Sequence, residues 1–263
     1  MPETRSSGVR IAWDERGQGS PVVFLHGLGG SMVDWEPQLD AFAPRHRVIR
    51  LDVRGHGRSD KPPGPYHIAD FARDAAAVLQ EARSGPAHVV GISMGGAVAF
   101  ELALEAPEMV RSLMLVNTGP EVRPRTVKEH LMLWQRRVLT RVIPMERWAA
   151  LLGERLFPGP ELEQLRRDFT ARWSANDPRA YRAAFHALLR WSVAKRLGEI
   201  RQPCLVVHAE FDYTPLDRKQ EYAARLPDVR IGVIAGARHA VNLDRPAEFN
   251  RMVLAFIEEL GPS

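Results

Sequence analysis

One cysteine, Cys204, is all that the 263 residues contain, which excludes an internal disulfide and a metal site built on several thiolates. The fold must be held by its hydrophobic core. No apolar run approaches the roughly 18 residues that a membrane span needs, and the opening residues, Met1 to Ser7, lack the apolar segment of a secretory leader. A soluble, cytoplasmic protein without a membrane partner is expected. Charge of one sign is also scarce: 36 Lys and Arg stand against 32 Asp and Glu. No Lys/Arg run is interleaved with aromatics, so a nucleic-acid partner is not expected. What is present, 45% hydrophobic and 26% charged residues, is the composition of an ordinary globular chain. The length suits one large domain or two modest ones.

Short apolar runs alternate with helical patterns, the order of a mostly parallel sheet covered by helices on both faces, an α/β class. Val9 to Asp14 reads as an edge strand, turned by Arg16-Gly17-Gln18-Gly19 into a hairpin with Pro21 to Leu25. His46 to Asp52, His88 to Ile92, Ser112 to Asn117, Cys204 to His208 and Arg230 to Ile234 come next as strands buried on both faces. Between them, Ile68, Phe71, Ala72, Ala75, Val78, Leu79 and Ala82 fall on one helical face. Phe249, Met252, Val253, Phe256, Ile257 and Leu260 do the same behind Pro246, a first-turn proline.

The alternation breaks from Pro120 to Ile200. That stretch holds helical patterns (Leu131, Trp134, Val138, Val142; then Leu162, Leu165, Phe169) and no convincing strand. It reads as a helical cap, 120–200, inserted into a core formed by 1–119 and 201–263. Residues 121–199 carry 16 Lys/Arg against 9 Asp/Glu, so the chain's excess positive charge lies in the cap. A solvated Arg-rich surface is the simpler explanation of that charge.

The most informative stretch is His88-Val89-Val90-Gly91-Ile92-Ser93-Met94-Gly95-Gly96, a buried strand running straight into a small-residue helix. A serine at such a turn needs a strained backbone, and side chains two residues to either side would collide with the neighbouring strand and helix. G-x-S-x-G alone is weak evidence; in this context it marks Ser93 as a nucleophile at a helix N-terminus. A serine hydroxyl needs a base to take its proton, and the base needs an acid to orient it. His239, between the strand ending near Ile234 and the last helix, is the best base. Asp212, in the loop after Leu205 to His208, is the best acid, with Asp217 and Asp244 as alternatives. Both lie past carboxyl ends of parallel strands, where open α/β sheets bind ligands. The remaining histidines and the acids of the Asp52-to-Asp60 loop read as structural.

Acyl transfer also needs donors for an oxyanion. Phe24-Leu25-His26-Gly27-Leu28-Gly29-Gly30 ends a central strand in a glycine-rich turn that can aim the N–H of Leu28 inward, opposite the N–H of Met94. A phosphate-binding loop is a poor alternative, because neither Gly-Lys-Ser/Thr nor a well-placed G-x-G-x-x-G is present.

Taken together, His26 to Gly30, the Asp52-to-Asp60 loop, Gly91 to Gly96, Asp212 and His239 make the chain resemble the α/β-hydrolase superfamily nearly end to end. The resemblance implies that fold with a helical cap after its sixth strand, a Ser93–His239–Asp212 triad, and no metal or organic cofactor. A serine stands where haloalkane dehalogenases and epoxide hydrolases place aspartate. The serine branch is similar to carboxylesterases, 3-oxoadipate enol-lactonase-like enzymes, cofactor-free haloperoxidases or perhydrolases, and carbon–carbon bond hydrolases. The last group often has tryptophan after the catalytic histidine; here Ala240-Val241-Asn242 stands instead, which favours cleavage of a small ester or lactone. Leu28 and Val241 are expected at the substrate, and Trp134 either there or in cap–core packing. A basic cap would suit an anionic substrate such as a carboxylated lactone. A hydrolase-fold ligand receptor is the non-enzymatic rival.

Overall fold

Successive side chains of a strand point to opposite faces, so a strand apolar throughout must be covered twice. In the computed structural model, which describes residues 2–261, the central strand β3 (Ser20–Leu25) is such a case. Val22 and Phe24 pack with Trp35, Leu39, Phe42, Phe249 and Val253. Val23 and Leu25 pack the other way, with Phe71, Ala75 and Val98. The first layer is built by α1 (Glu36–Phe42), and the second by α2 (Ile68–Glu81) and α3 (Met94–Glu105). Near the C-terminus, α8 (Leu216–Ala223), the single turn α9 (Val241–Asp244) and α10 (Pro246–Glu259) complete the coverage, α10 joining α1.

The other strands are β1 (Glu3–Ser6), β2 (Val9–Arg16), β4 (His46–Leu51), β5 (Ala87–Ile92), β6 (Val110–Val116), β7 (Cys204–Ala209) and β8 (Val229–Ile234). They form one sheet in the order β1-β2-β4-β3-β5-β6-β7-β8. From β4 to β8 all neighbours are parallel; β2 runs antiparallel to β1 and β4. After β3 the chain moves outward to β4 and then crosses back to β5 on the other side of β3. The carboxyl ends of β3 and β5 therefore flank a switch point, where such sheets open a crevice.

Three expectations are corrected. Val9–Arg16 is not an edge strand, because the short polar segment Glu3–Ser6 adds β1 outside it. Nor does β2 form a hairpin with β3: it pairs with β4, and Arg50 of β4 donates to both carboxylate oxygens of Asp14 on β2 (2.9 and 2.6 Å). Finally, β8 is an edge strand, with Ile231 and Val233 38% and 48% exposed, so it is not buried on both faces.

Between β6 and β7 lie α4 (Val127–Val142), α5 (Met145–Leu156), α6 (Glu163–Ser174) and α7 (Pro178–Arg190), with no strand beyond an isolated bridge between Glu121 and Ser192. Asp177 caps α7 by accepting from the N–H groups of Arg179 and Ala180. Leu152, Phe169, Trp173 and Tyr181 from these helices, with Phe157 just past α5, join the same apolar cluster as α2 and α3. Among the described residues, no helix is long and apolar enough to cross a membrane.

Candidate active site

Strand β5 ends at Ile92 and α3 begins at Met94, so the chain must reverse within one residue. That residue is Ser93, at φ 55° and ψ −113°, a conformation costly for any residue with a Cβ. Its flanking glycines permit the turn. A Cβ on Gly91 would lie 2.2 Å from Gly95 O, and one on Gly95 would lie 2.1 Å from Leu25 O. Both obstacles are backbone atoms, which cannot rotate away. The turn is tied to β6 and its following loop: Ser93 N–H donates to Val116 O (2.9 Å), and Thr118 Oγ1 donates to Ser93 O (2.8 Å).

Asp212 lies just past β7 and is 1% exposed at its side chain, yet it stays ionised. Burial alone would raise its pKa; the facing imidazole of His239 and the ammonium of Lys219 outweigh that and hold it at about 2. His239 Nδ1–H donates to Asp212 Oδ1 at 2.5 Å. An ionised carboxylate can only accept, so the ring proton sits on Nδ1 and Nε2 is left free to take another. Tyr213 stacks on the imidazole (centroids 4.4 Å apart, planes at 28°), limiting its rotation.

Ser93 and His239 line one cavity, together with Leu28. Its free space of about 670 Å³ includes open solvent at the mouth. No direct hydrogen bond joins Ser93 Oγ to His239 among the described residues; such contacts commonly tighten only around a substrate. The N–H of Met94 is one of those that a helix start leaves unpaired, and the Leu28 N–H donates to no backbone acceptor among the described residues. The Leu28 turn is braced by His26, whose Nδ1–H donates to Gly27 O (2.8 Å) while its Nε2 accepts from Val53 N–H (3.2 Å). Asp52 accepts from Met32 and Arg58 N–H groups (2.7 and 2.8 Å), and Asp60 from Arg10 N–H.

Two expected substrate contacts lie elsewhere. Trp134 is 61% exposed and Val241 is fully buried in the apolar cluster between the sheet and α1 and α10. On α4 the apolar residues Val127, Leu131, Trp134 and Val142 face outward, and Leu133, Arg136, Leu139 and Thr140 lie on the covered side. After His239 the chain enters α9 at once, which turns Val241 into the core and leaves Ala240 and Asn242 at the cavity.

Sequence reasoning missed four residues. Asn117, at the end of β6, holds a left-handed backbone (φ 44°). Its Nδ2 donates to His239 O (2.8 Å) and its Oδ1 accepts from Ala209 N–H (2.9 Å). Its position past a parallel strand was the available signal. Lys219, on a helix that reads as charged and solvated, is fully buried and donates to Asp212 Oδ2 (2.7 Å) and Asn117 Oδ1 (3.0 Å). Asp34 and Arg136 also line the cavity. Among the described residues no group of three or more His, Cys, Asp or Glu is arranged to hold a metal ion.

Comparison with known proteins gives a consistent result. The family described as alpha/beta hydrolase fold matches residues 20–246. The chain is 32% identical to RutD of Azorhizobium caulinodans, a protein named for carbamate hydrolysis, over 99% of each. Among solved structures it is similar to a hydrolase from Pseudomonas aeruginosa (28% identity, 97% of each chain, TM-score 0.87). It is also similar to Est816, described as an N-acyl homoserine lactone degrading enzyme (30% identity, 97% of this chain and 100% of that one, TM-score 0.78).

Proposed function

The chain belongs to the alpha/beta hydrolase fold family and is a hydrolase of that fold, and within it we propose a serine hydrolase that opens a small carboxylic ester or lactone through an acyl-enzyme. The observation that carries this reading is the Asp212–His239 pair at 2.5 Å, opening on the cavity that also holds the strained Ser93.

In this reading Ser93 Oγ attacks the carbonyl carbon while His239 Nε2 takes the hydroxyl proton. The N–H groups of Leu28 and Met94 receive the negative charge that collects on the carbonyl oxygen. Asp212 stabilises the imidazolium, which then gives its proton to the departing alkoxide; in a lactone that oxygen stays tethered. Water repeats the same steps on the acyl-enzyme and releases the acid. Every proton moves through one nitrogen, so the reading demands no further acid or base.

The lactone class is supported by the likeness to Est816. The RutD relative favours a carbamate as a second acyl class for the same machinery, since its carbonyl is open to the same attack. Ser93→Ala is expected to abolish hydrolysis of a short-chain p-nitrophenyl ester while circular dichroism and thermal unfolding stay those of the wild type. Unchanged turnover would refute the assignment. A fluorophosphonate probe together with multiple turnovers separates an enzyme from a ligand receptor.

A further inference from the structure

Among the residues lining the cavity, one cation reaches it. Arg136 projects from the inner face of α4 in the cap, while Ser93 and His239 sit on the rim of the sheet. The guanidinium is packed among rings: its central carbon lies 4.8 Å from the Phe185 centroid, 5.8 Å from Trp148 and 5.9 Å from Tyr181. Its Nη2 donates to Tyr181 OH at 2.7 Å, an oxygen that also accepts from Trp148 Nε1 at 3.1 Å. The side chain is thereby held in place from two sides.

It has no counter-charge. Among the described residues no carboxylate lies within ion-pair distance of Arg136, and its Nε is buried without an acceptor. The carboxylate of Asp34, which shares the cavity, is already committed: Oδ2 accepts from Ser31 N–H (3.1 Å) and Oδ1 from Arg172 Nη2 (3.3 Å). Much of the remaining wall is apolar, with Leu152, Leu156 and Phe169. A half-buried guanidinium facing such a wall is costly to keep unpaired, and ring faces offset only part of that cost. An anion entering the cavity would meet it at low dielectric, where the attraction is strong.

We propose that Arg136 binds a carboxylate on the substrate, a few carbons from the scissile carbonyl, so that the preferred substrates are carboxylate-bearing esters or lactones. This rests on the serine-hydrolase reading above and narrows it. The general excess of arginine in the cap is not the reason: of its Arg and Lys side chains, Arg136 is the one that lines the cavity, and the neighbouring Arg172 is paired with Asp34. One unpaired, pre-positioned guanidinium inside the cavity carries the selectivity. As the group that would touch the substrate's distant end, it governs which substrate is held and leaves the proton transfer at His239 to the triad.

The test compares p-nitrophenyl half-esters of succinate, glutarate and adipate with neutral esters of matching length. For wild type, kcat/KM should favour at least one charged ester over its neutral counterpart. In Arg136→Met that ratio should fall by about 10- to 100-fold, the usual consequence of losing a hydrogen bond to a charged group; Arg136→Lys should keep part of it. A ratio near one for wild type at every length, or one that Arg136→Met leaves within twofold, overturns the proposal. If Arg136→Met does not fold, the wild-type protein still decides: glutarate should inhibit neutral-ester hydrolysis competitively and at lower concentration than pentanamide, and equal inhibition overturns the proposal. Turnover of neutral esters without any charge preference would remove this inference and leave the hydrolase reading standing. If no ester is turned over, that reading fails on its own, and calorimetric titration of glutarate into wild type and Arg136→Met still tests the carboxylate site: binding lost in the variant supports it, and no wild-type binding overturns it.

Discussion

Lys219 Nζ lies 2.7 Å from Asp212 Oδ2, and the two side chains are 0% and 1% exposed. The carboxylate that orients His239 through one oxygen is thus bound through the other by a buried ammonium. Burial holds the pKa of Lys219 below its ordinary value and the Asp212 carboxylate offsets only part of that, so the ion pair depends on both partners remaining in place. The ammonium also draws part of the carboxylate's field away from the imidazole.

Lys219→Met removes that competing cation. With the full field of Asp212 then acting on the imidazolium, the acidic limb of the kcat/KM profile should move to higher pH. Asp212 Oδ2 is left buried without a partner, and breaking a buried pair in this way costs about 3 kcal/mol or more of stability. A pH–rate profile and denaturant titration check both. A profile that does not move would mean that Lys219 serves packing alone.

Asp212→Asn should lower kcat by about 10³ to 10⁴-fold, because the imidazole loses the acceptor that fixes its tautomer. The same variant has a signature in stability. The folded pKa of Asp212 is depressed to about 2, so its stabilising contribution is present above the ordinary carboxylate range and is lost as pH falls toward 2. That contribution is about 2 kcal/mol. Urea titrations between pH 2 and 5 should show wild type losing this increment relative to Asp212→Asn; parallel curves would contradict it.

Asp244 gives the opposite sign. Burial raises its pKa to about 6, against the backbone N–H of Arg238 and nearby arginines that lower it, and one of its carboxylate oxygens is buried without a partner. A carboxyl whose folded pKa is raised destabilises the fold as pH climbs from its unfolded pKa through the folded one. Asp244→Asn should therefore be more stable than wild type at pH 7 to 8, by on the order of 1 kcal/mol once the full linkage value of about 3 kcal/mol is reduced for solvent screening of this incompletely buried carboxyl, and this difference should close near pH 4. A pH-independent difference in thermal midpoint would contradict the assignment.

Gly95→Ala places a Cβ 2.1 Å from Leu25 O. Because β3 is paired on both sides, the carbonyl cannot withdraw, and the variant should lose about 3 kcal/mol or more. Gly85→Ala meets nothing within 4 Å but has φ +68°, so its smaller loss isolates backbone strain from collision. Equal effects at the two positions would mean that the close approach to β3 is not what demands glycine at 95.

Much of this arrangement is legible in the sequence because it depends on local pattern. The apolar runs around Phe24, Val90, Met114 and Val207 fall on observed strands, and the flanking glycines identify the turn at Ser93. Asp212 and His239 stand out because each lies a few residues past the carboxyl end of an apolar strand. Where burial depends on distant partners, local pattern fails. Glu3–Ser6 is polar and becomes a strand only because Val9–Arg16 offers it an edge. Lys219 is on a helix of mostly polar residues, and its burial depends on Asn117 and Asp212, 102 and 7 residues away. On α4 the apolar stripe of Leu131, Trp134 and Val142 is exposed, while Arg136 turns inward to rings of α5 and α7. A helical period gives the spacing of a face and says nothing about which face the rest of the chain will cover.

A serine nucleophile carries the acyl group between the two halves of the reaction, so Ser93 should become acylated during turnover. Rapid acid quench of the protein with a p-nitrophenyl ester, and then peptide mass spectrometry, tests it most directly. One acyl group is expected on the peptide containing Ser93, formed no more slowly than turnover and absent from Ser93→Ala. Turnover with Ser93 unmodified at every quench time, retained in Ser93→Ala, would contradict it.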